Sequence, residues 1–243
     1  MVTTTGALFS RLTLVLFIFL VISCDNNTRS DSQALYGELA TSAPSGIYEN
    51  DPTHSTLQFS ISHLGLSNYI ARFSDYSVDM TLNSDEISAS RVSVEINPKL
   101  IQTDYRGDYK GTHPESDFES WEQDLAYSDK FFNANIYPRI FFESTHVRLT
   151  PSGTLKITGD LTLLDQTNSV FLEGKIIGST ANHPFTERGA IGFSVSGTFK
   201  RSAFGMDFLL EPPLLGDEVT MTYEGEMLEV PAAYNLGIKT SEN

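Results

Sequence analysis

Leu57-Gln58-Phe59-Ser60-Ile61-Ser62-His63 alternates large or apolar residues with small polar ones over its whole length. A β-strand turns successive side chains to opposite faces. The run therefore puts Leu57, Phe59, Ile61 and His63 on one side of a sheet and Gln58, Ser60 and Ser62 on the other. The same period of two recurs along the chain. It is seen at Val78, Met80 and Leu82, and at Val92, Val94 and Ile96. It returns at Leu155, Ile157, Gly159, Leu161 and Leu163, at Ile191, Phe193, Val195, Gly197 and Phe199, and at Val219, Met221 and Tyr223. Turn-forming residues punctuate these runs at Asn83–Asp85, Pro151–Gly153, Asp165–Asn168 and Leu215–Asp217. The pattern predicts an all-β domain of roughly eight antiparallel strands, each with one buried and one solvated face, as a sandwich or a closed up-and-down barrel.

The charge balance narrows the partners. The 243-residue chain carries a net charge of −15. Phosphate recognition needs a basic surface, so nucleic acid is not an expected partner. Attraction to an anionic membrane through a basic patch is equally unsupported, and membrane attachment has to come from another feature.

The N-terminus offers one. Leu12–Ile22 (LTLVLFIFLVI) is apolar but too short to span a bilayer, as in the core of a signal peptide. Val21-Ile22-Ser23-Cys24 follows, which resembles a bacterial lipobox, and Cys24 is the only cysteine. We expect a signal peptide over 1–23, lipidation at Cys24 and a lipidated, flexible tether over 24–45, rich in small polar residues. The expected address is the periplasmic side of a bacterial envelope. Asp25 after the cysteine points to the inner membrane under the enterobacterial sorting rule. The folded domain is expected over 46–230 and a disordered tail over 231–243.

One stretch departs from the alternation. Asp104–Asp124 carries seven acidic and two basic residues and reads as a long exposed loop, a solvated charge run without calcium-loop spacing. A short helix is expected near 124–133, where Leu125 and Phe132 can share a face.

Several words within the strands occur in a recognisable order. Tyr48–Phe59 (YENDPTHSTLQF) with His63-Leu64-Gly65 comes first, then Phe131-Phe132 with Tyr137-Pro138, then Phe142-Glu143-Ser144-Thr145. Thr158–Thr162 (TGDLT) follows, and Arg201–Met206 (RSAFGM) with Gly216–Val219 (GDEV) closes the series. Together they resemble the YceI-like family of polyisoprenoid-binding proteins. The resemblance implies an extended, lipocalin-like eight-stranded antiparallel β-barrel whose interior holds a polyisoprenoid tail, in proteins mostly exported to the periplasm. Leu125-Ala126, Lys130 and Leu164 depart from the family's usual words, and the Asp104–Asp124 segment is longer than usual.

The expected function is non-catalytic binding or carriage of a long-chain isoprenoid lipid, polyprenyl or quinone-like. The lipid is the expected ligand, with no cofactor and no metal. Phe59, Ile61, His63, Phe73, Phe131, Phe132, Phe142, Leu161, Phe193, Val195 and Phe199 are the candidates for an apolar pocket, and Gly159 and Gly197 for making room in it. The competing expectation for inward-facing Phe residues is a packed core. Arg72 and Arg201 are candidate headgroup contacts, with pairing of Arg201 to Asp160 or Asp217 as the alternative. His54 lies near Asp51, but nothing in the sequence fixes a third ligand, and neither HExxH nor CxxC occurs. No catalytic residue is assigned. A homodimer is a further expected arrangement. Two other functions stay open: an envelope interaction module with a filled barrel, and a weak enzyme acting on a bound amphiphile.

Overall fold

The computed structural model describes residues 42–211 and 214–232, with Met1. The expected signal segment beyond Met1, Cys24, most of the tether and the tail from residue 233 lie outside these residues.

The fold is a closed eight-stranded antiparallel barrel with two extra strands. Strand β1 (Gly46–His63) is its spine. Strands β2 (Ser67–Phe73) and β3 (Tyr76–Leu82) both run antiparallel to it, β2 along its second half from Leu57 to His63 and β3 along its first residues from Gly46 to Glu49. They form a single stave broken at Ser74-Asp75. Strands β4 (Arg91–Ile96) and β5 (Ile101–Gln102) repeat the arrangement, β4 on β3 and β5 on β2. The meander continues through β6 (Ile140–Leu149), β7 (Thr154–Leu163), β8 (Gln166–Thr180), β9 (Ala190–Lys200) and β10 (Leu215–Glu229). Closure comes from β10 pairing with β1 from Tyr48–Glu229 to His63–Leu215. The cycle closes through β4–β6 and β10–β1, and the one interruption is at β5, which pairs with β2 and leaves its other edge to the segment that follows.

The broken staves set the shape. β4 pairs with β6 over Ser93–Ile96, but β5 is two residues long and β6 begins at Ile140. One end of the barrel therefore flares, and residues 103–139 fill the wall there. They include two short helices, α1 (Tyr109–Thr112) and α2 (Trp121–Tyr127). Helix α2 starts at Ser120, whose side chain accepts from Gln123 N–H, and ends at Ser128. It thus begins three residues before the stretch expected from sequence and ends within it, at Tyr127. The Asp104–Asp124 stretch is also not simply an exposed loop, because Tyr109 and Asp124 are buried. Its missing periodicity reflects its role as an insertion sealing a gap, which needs scattered anchors rather than one continuous apolar face.

Two turns also differ from the sequence expectation. The β7–β8 turn is Leu164-Asp165, with Leu164 at φ 57°, and β8 already runs through Gln166–Asn168. Leu215–Asp217 belongs to β10 rather than to a turn. The β1–β2 hairpin turns at Leu64-Gly65, both at positive φ, with Leu66 N–H donating to His63 O at 3.0 Å. A turn of this hand matches the twist of the strands it joins.

The opposite pole is plugged. Tyr48 is 0% exposed and donates to Pro44 O at 2.6 Å, with Ala43, Leu82, Ile191 and Met227 packed around it. The segment that precedes the barrel enters here, where Ser42 Oγ lies 2.6 Å from Ser179 O.

Candidate functional site: an apolar lumen in two chambers

Alternation along each staff carries one apolar set of side chains into the barrel, and these do not fill it. The flared half holds a cavity of about 540 Å³ and the plugged half one of about 150 Å³. Ile96, Leu161, Phe199 and Met221 line both and form a waist between them. The larger volume falls in the range of small-molecule sites, which bury most of a ligand and hold few polar groups.

The site residues expected from sequence divide between the two chambers. Phe59, Ile61 and His63 of β1, Phe73 of β2, and Phe131 and Phe132 after α2 line the larger one. Phe142 of β6 and Phe193 and Val195 of β9 line the smaller one, and Leu161 and Phe199 stand at the waist. Phe59, Phe73 and Phe132 pack on one another with ring centroids 5.6–6.1 Å apart, so the floor of the larger chamber is itself a small core. Gly159 and Gly197 leave no open space. A side chain at Gly159 would strike the Phe142 ring and Glu143 O, and one at Gly197 would strike Leu172. These glycines let a neighbouring side chain lie across the strand.

The two arginines differ from expectation. Arg72 alternates to the outer face of β2, and its guanidinium lies 3.5 Å from exposed Asp104. It lines neither cavity. Arg201 is 5% exposed and borders the larger chamber. It pairs with neither Asp160 nor Asp217. It donates to three backbone carbonyls instead: Gly216 O and Met206 O at 2.8 Å and Leu215 O at 3.2 Å. Asp217 accepts from Ser202 N–H and Oγ–H at 3.0 and 2.9 Å. A guanidinium has five N–H donors, so two remain beyond these three contacts. Burial lowers the pKa of Arg201 against the pull of Asp217 and Asp207.

Sequence reading missed the roof of the larger chamber. Tyr105, Tyr109, His113 and Trp121 all line it and come from the insertion. Tyr109 stacks on His113 at 4.6 Å, Trp121 meets Phe131 edge-on at 5.5 Å, and Phe131 meets Phe208 at 5.5 Å. Trp121 Nε1–H donates to Tyr69 Oη at 2.6 Å, tying the insertion to β2, and Tyr109 Oη–H donates to Asp124. No periodicity announces these residues; only the abundance of aromatic residues in the stretch could have drawn attention. In the smaller chamber, Leu172 and Ile176 of β8 and Met80 of β3 also line the wall. Burial raises the pKa of Tyr69, Tyr223 and Tyr109, the last with help from Asp124, and pushes Tyr76 up to about 12. The phenols stay neutral at physiological pH, so the lumen is mainly greasy, with Arg91 at the smaller chamber and Asp124, Lys130 and Arg201 at the larger one as its charged borders.

A closed antiparallel barrel enclosing an apolar lumen is the architecture of proteins that hold small or slender hydrophobic ligands. Residues 48–227 match the YceI-like domain model, and the chain belongs to this family. It is 28% identical over 192 residues to a UPF0312 protein of Shewanella baltica, covering 79% of this chain and 92% of that one. A UPF0312 protein of Shewanella oneidensis is 27% identical over the same shares. The Campylobacter jejuni YCEI protein superposes with a TM-score of 0.57 at 26% identity, over 70% of this chain and 91% of that one. A polyisoprenoid binding domain from Saccharophagus degradans, at 12% identity, shares the fold with a TM-score of 0.53 over 77% of this chain and all of that one.

Proposed function

We propose that the protein binds a long-chain isoprenoid lipid inside the barrel and carries it without chemical turnover. The observation that carries this reading is the larger chamber of about 540 Å³, lined almost wholly by apolar and aromatic side chains. Each CH₂ withdrawn from water contributes about 0.8 kcal/mol, so a branched chain of several prenyl units binds through burial alone. The tail lies along the larger chamber and points through the waist toward the smaller one. The head stays at the flared end, within reach of Arg201, His63 and Lys130. The polyisoprenoid binding named for the Saccharophagus domain of the same fold supports the ligand class.

We further propose that Cys24 carries a lipid anchor and that the domain works on the periplasmic side of the envelope. The first described residues, Ser42–Ser45, lie at the plugged pole, so such an anchor leaves the flared mouth free.

Mass spectrometry of an organic extract from protein purified without detergent exchange tests the proposal. A prenyl lipid in near-stoichiometric amount is the expected result. Protein that carries none, and that takes up no prenyl probe after delipidation, would remove the reading.

A further inference from the structure

Strand β1 loses register with β10 between Asn50 and Ser55. Five steps along β1 answer the two from Met227 to Gly225, so extra residues bulge outward around Asp51–His54. Bulges re-aim side chains. Here Asp51 Oδ1 accepts from Thr53 N–H at 2.8 Å and Thr53 Oγ1–H at 2.6 Å, which fixes the carboxylate. Its Oδ2 faces His54 Nδ1 at 2.7 Å. Across the ladder stands Glu226, whose neighbour Met227 points into the barrel. One ligand atom from each of Asp51, His54 and Glu226 lies within 4.8 Å of the other two. From the β8–β9 connection, His183 Nε2 comes to 3.7 Å from Glu226 Oε2, while Phe185 N–H donates to its Nδ1 at 3.4 Å.

We propose that Asp51, His54 and Glu226 form a binding site for a divalent transition cation of the zinc class, with water completing the coordination and His183 orienting Glu226. Among the described residues, the ion-pair partners of Asp51 and Glu226 are imidazoles, with no Lys or Arg within 4.0 Å of either carboxylate. Two carboxylates neutralise a divalent charge, and an imidazole nitrogen selects against Ca²⁺ and Mg²⁺, which prefer all-oxygen shells. Ligand atoms around a tetrahedral Zn²⁺ stand roughly 3.3–3.5 Å apart. The cluster reaches that spacing by small rotations of His54 and Glu226, which are 63% and 44% exposed. The cation takes the place of the proton that Asp51 and His54 share. Ligating carboxylates are themselves held by outer polar groups, the part His183 takes beside Glu226. The site lies on the outer wall and is independent of the lipid reading. Its effect is to clasp the bulge of β1 to β10.

The test is Zn²⁺ titration of untagged, chelator-treated protein by calorimetry, paired with thermal melts. We expect one equivalent to bind at micromolar Zn²⁺ and to raise Tm by mass action. His54→Ala and Glu226→Gln, folded by circular dichroism, should each weaken binding by more than about tenfold, while His146→Ala on β6 should bind as wild type does. Absence of saturable binding to the wild-type protein overturns the proposal. So does unweakened binding in both variants, or an equal loss in His146→Ala.

Discussion

At the scale of single residues, the turn after β9 shows how polar groups brace an apolar barrel. Arg201 ties the Arg201–Phe204 turn to the start of β10 through carbonyls of Leu215 and Gly216, and to the chain just after the turn through Met206 O. Asp217 anchors the same turn from the other side through Ser202. Burial works against the charge on Asp217, but the Ser202 backbone N–H and hydroxyl, with Lys200 and Arg201 nearby, outweigh it and hold the carboxyl below its ordinary range. A carboxyl with a depressed folded-state pKa contributes stability that is present above its unfolded value, near about 3.9, and is lost as pH falls through the folded value. The contribution of Asp217 should therefore begin to fade below about pH 4 and be gone once the pH is below its lowered folded-state value. Asp217→Asn should lower Tm by roughly 2–4 °C at pH 7, a change of about 1 kcal/mol for a domain of this size. Melts at pH 7 and pH 3 check this, and the gap between wild type and variant should narrow in acid.

At the scale of elements, the decisive feature is the insertion at 103–139. It replaces the wall that β5 is too short to supply, and it does so with few anchors: Trp121 on Tyr69, and Leu125 and Ala126 in the core, with Tyr109 on Asp124 tying the insertion to itself. A segment held by scattered anchors opens more readily than a strand ladder. Trp121→Ala should cost about 2–3 kcal/mol, less than a fully buried tryptophan because Trp121 is half-buried. Hydrogen exchange should then show lost protection across 103–139 and little change in β6–β9, and a bound lipid should leave faster.

At the scale of the whole molecule, the barrel works as two chambers joined at a waist, with one pole plugged by Tyr48 and the other roofed by the insertion. Met221 is the flexible member of that waist and is partly buried. Met221→Trp should block passage of a tail into the smaller chamber while leaving the flared one open, at an overpacking cost of about 1–3 kcal/mol. Lipid extracted from this variant should carry shorter prenyl chains than lipid from the wild-type protein. An unchanged chain-length distribution would mean that the tail stays in the larger chamber.

The sequence by itself determined the staves. Side chains alternate by local geometry alone, so runs such as Leu57–His63 and Leu155–Leu163 declare their inner faces without reference to any partner, and most pocket residues followed from them. The family words added the closed barrel that alternation leaves undecided between sandwich and barrel. Tertiary structure alone decided where the staves break, and so where the barrel flares. It directed Arg201 to carbonyls, and it made a roof from an acidic stretch with no period. It also brought Glu226 and His183 to Asp51 and His54 across more than a hundred residues of chain. The physical reason is range: strand faces depend on neighbouring residues, whereas voids, gaps and ligand clusters depend on which distant side chains packing leaves side by side.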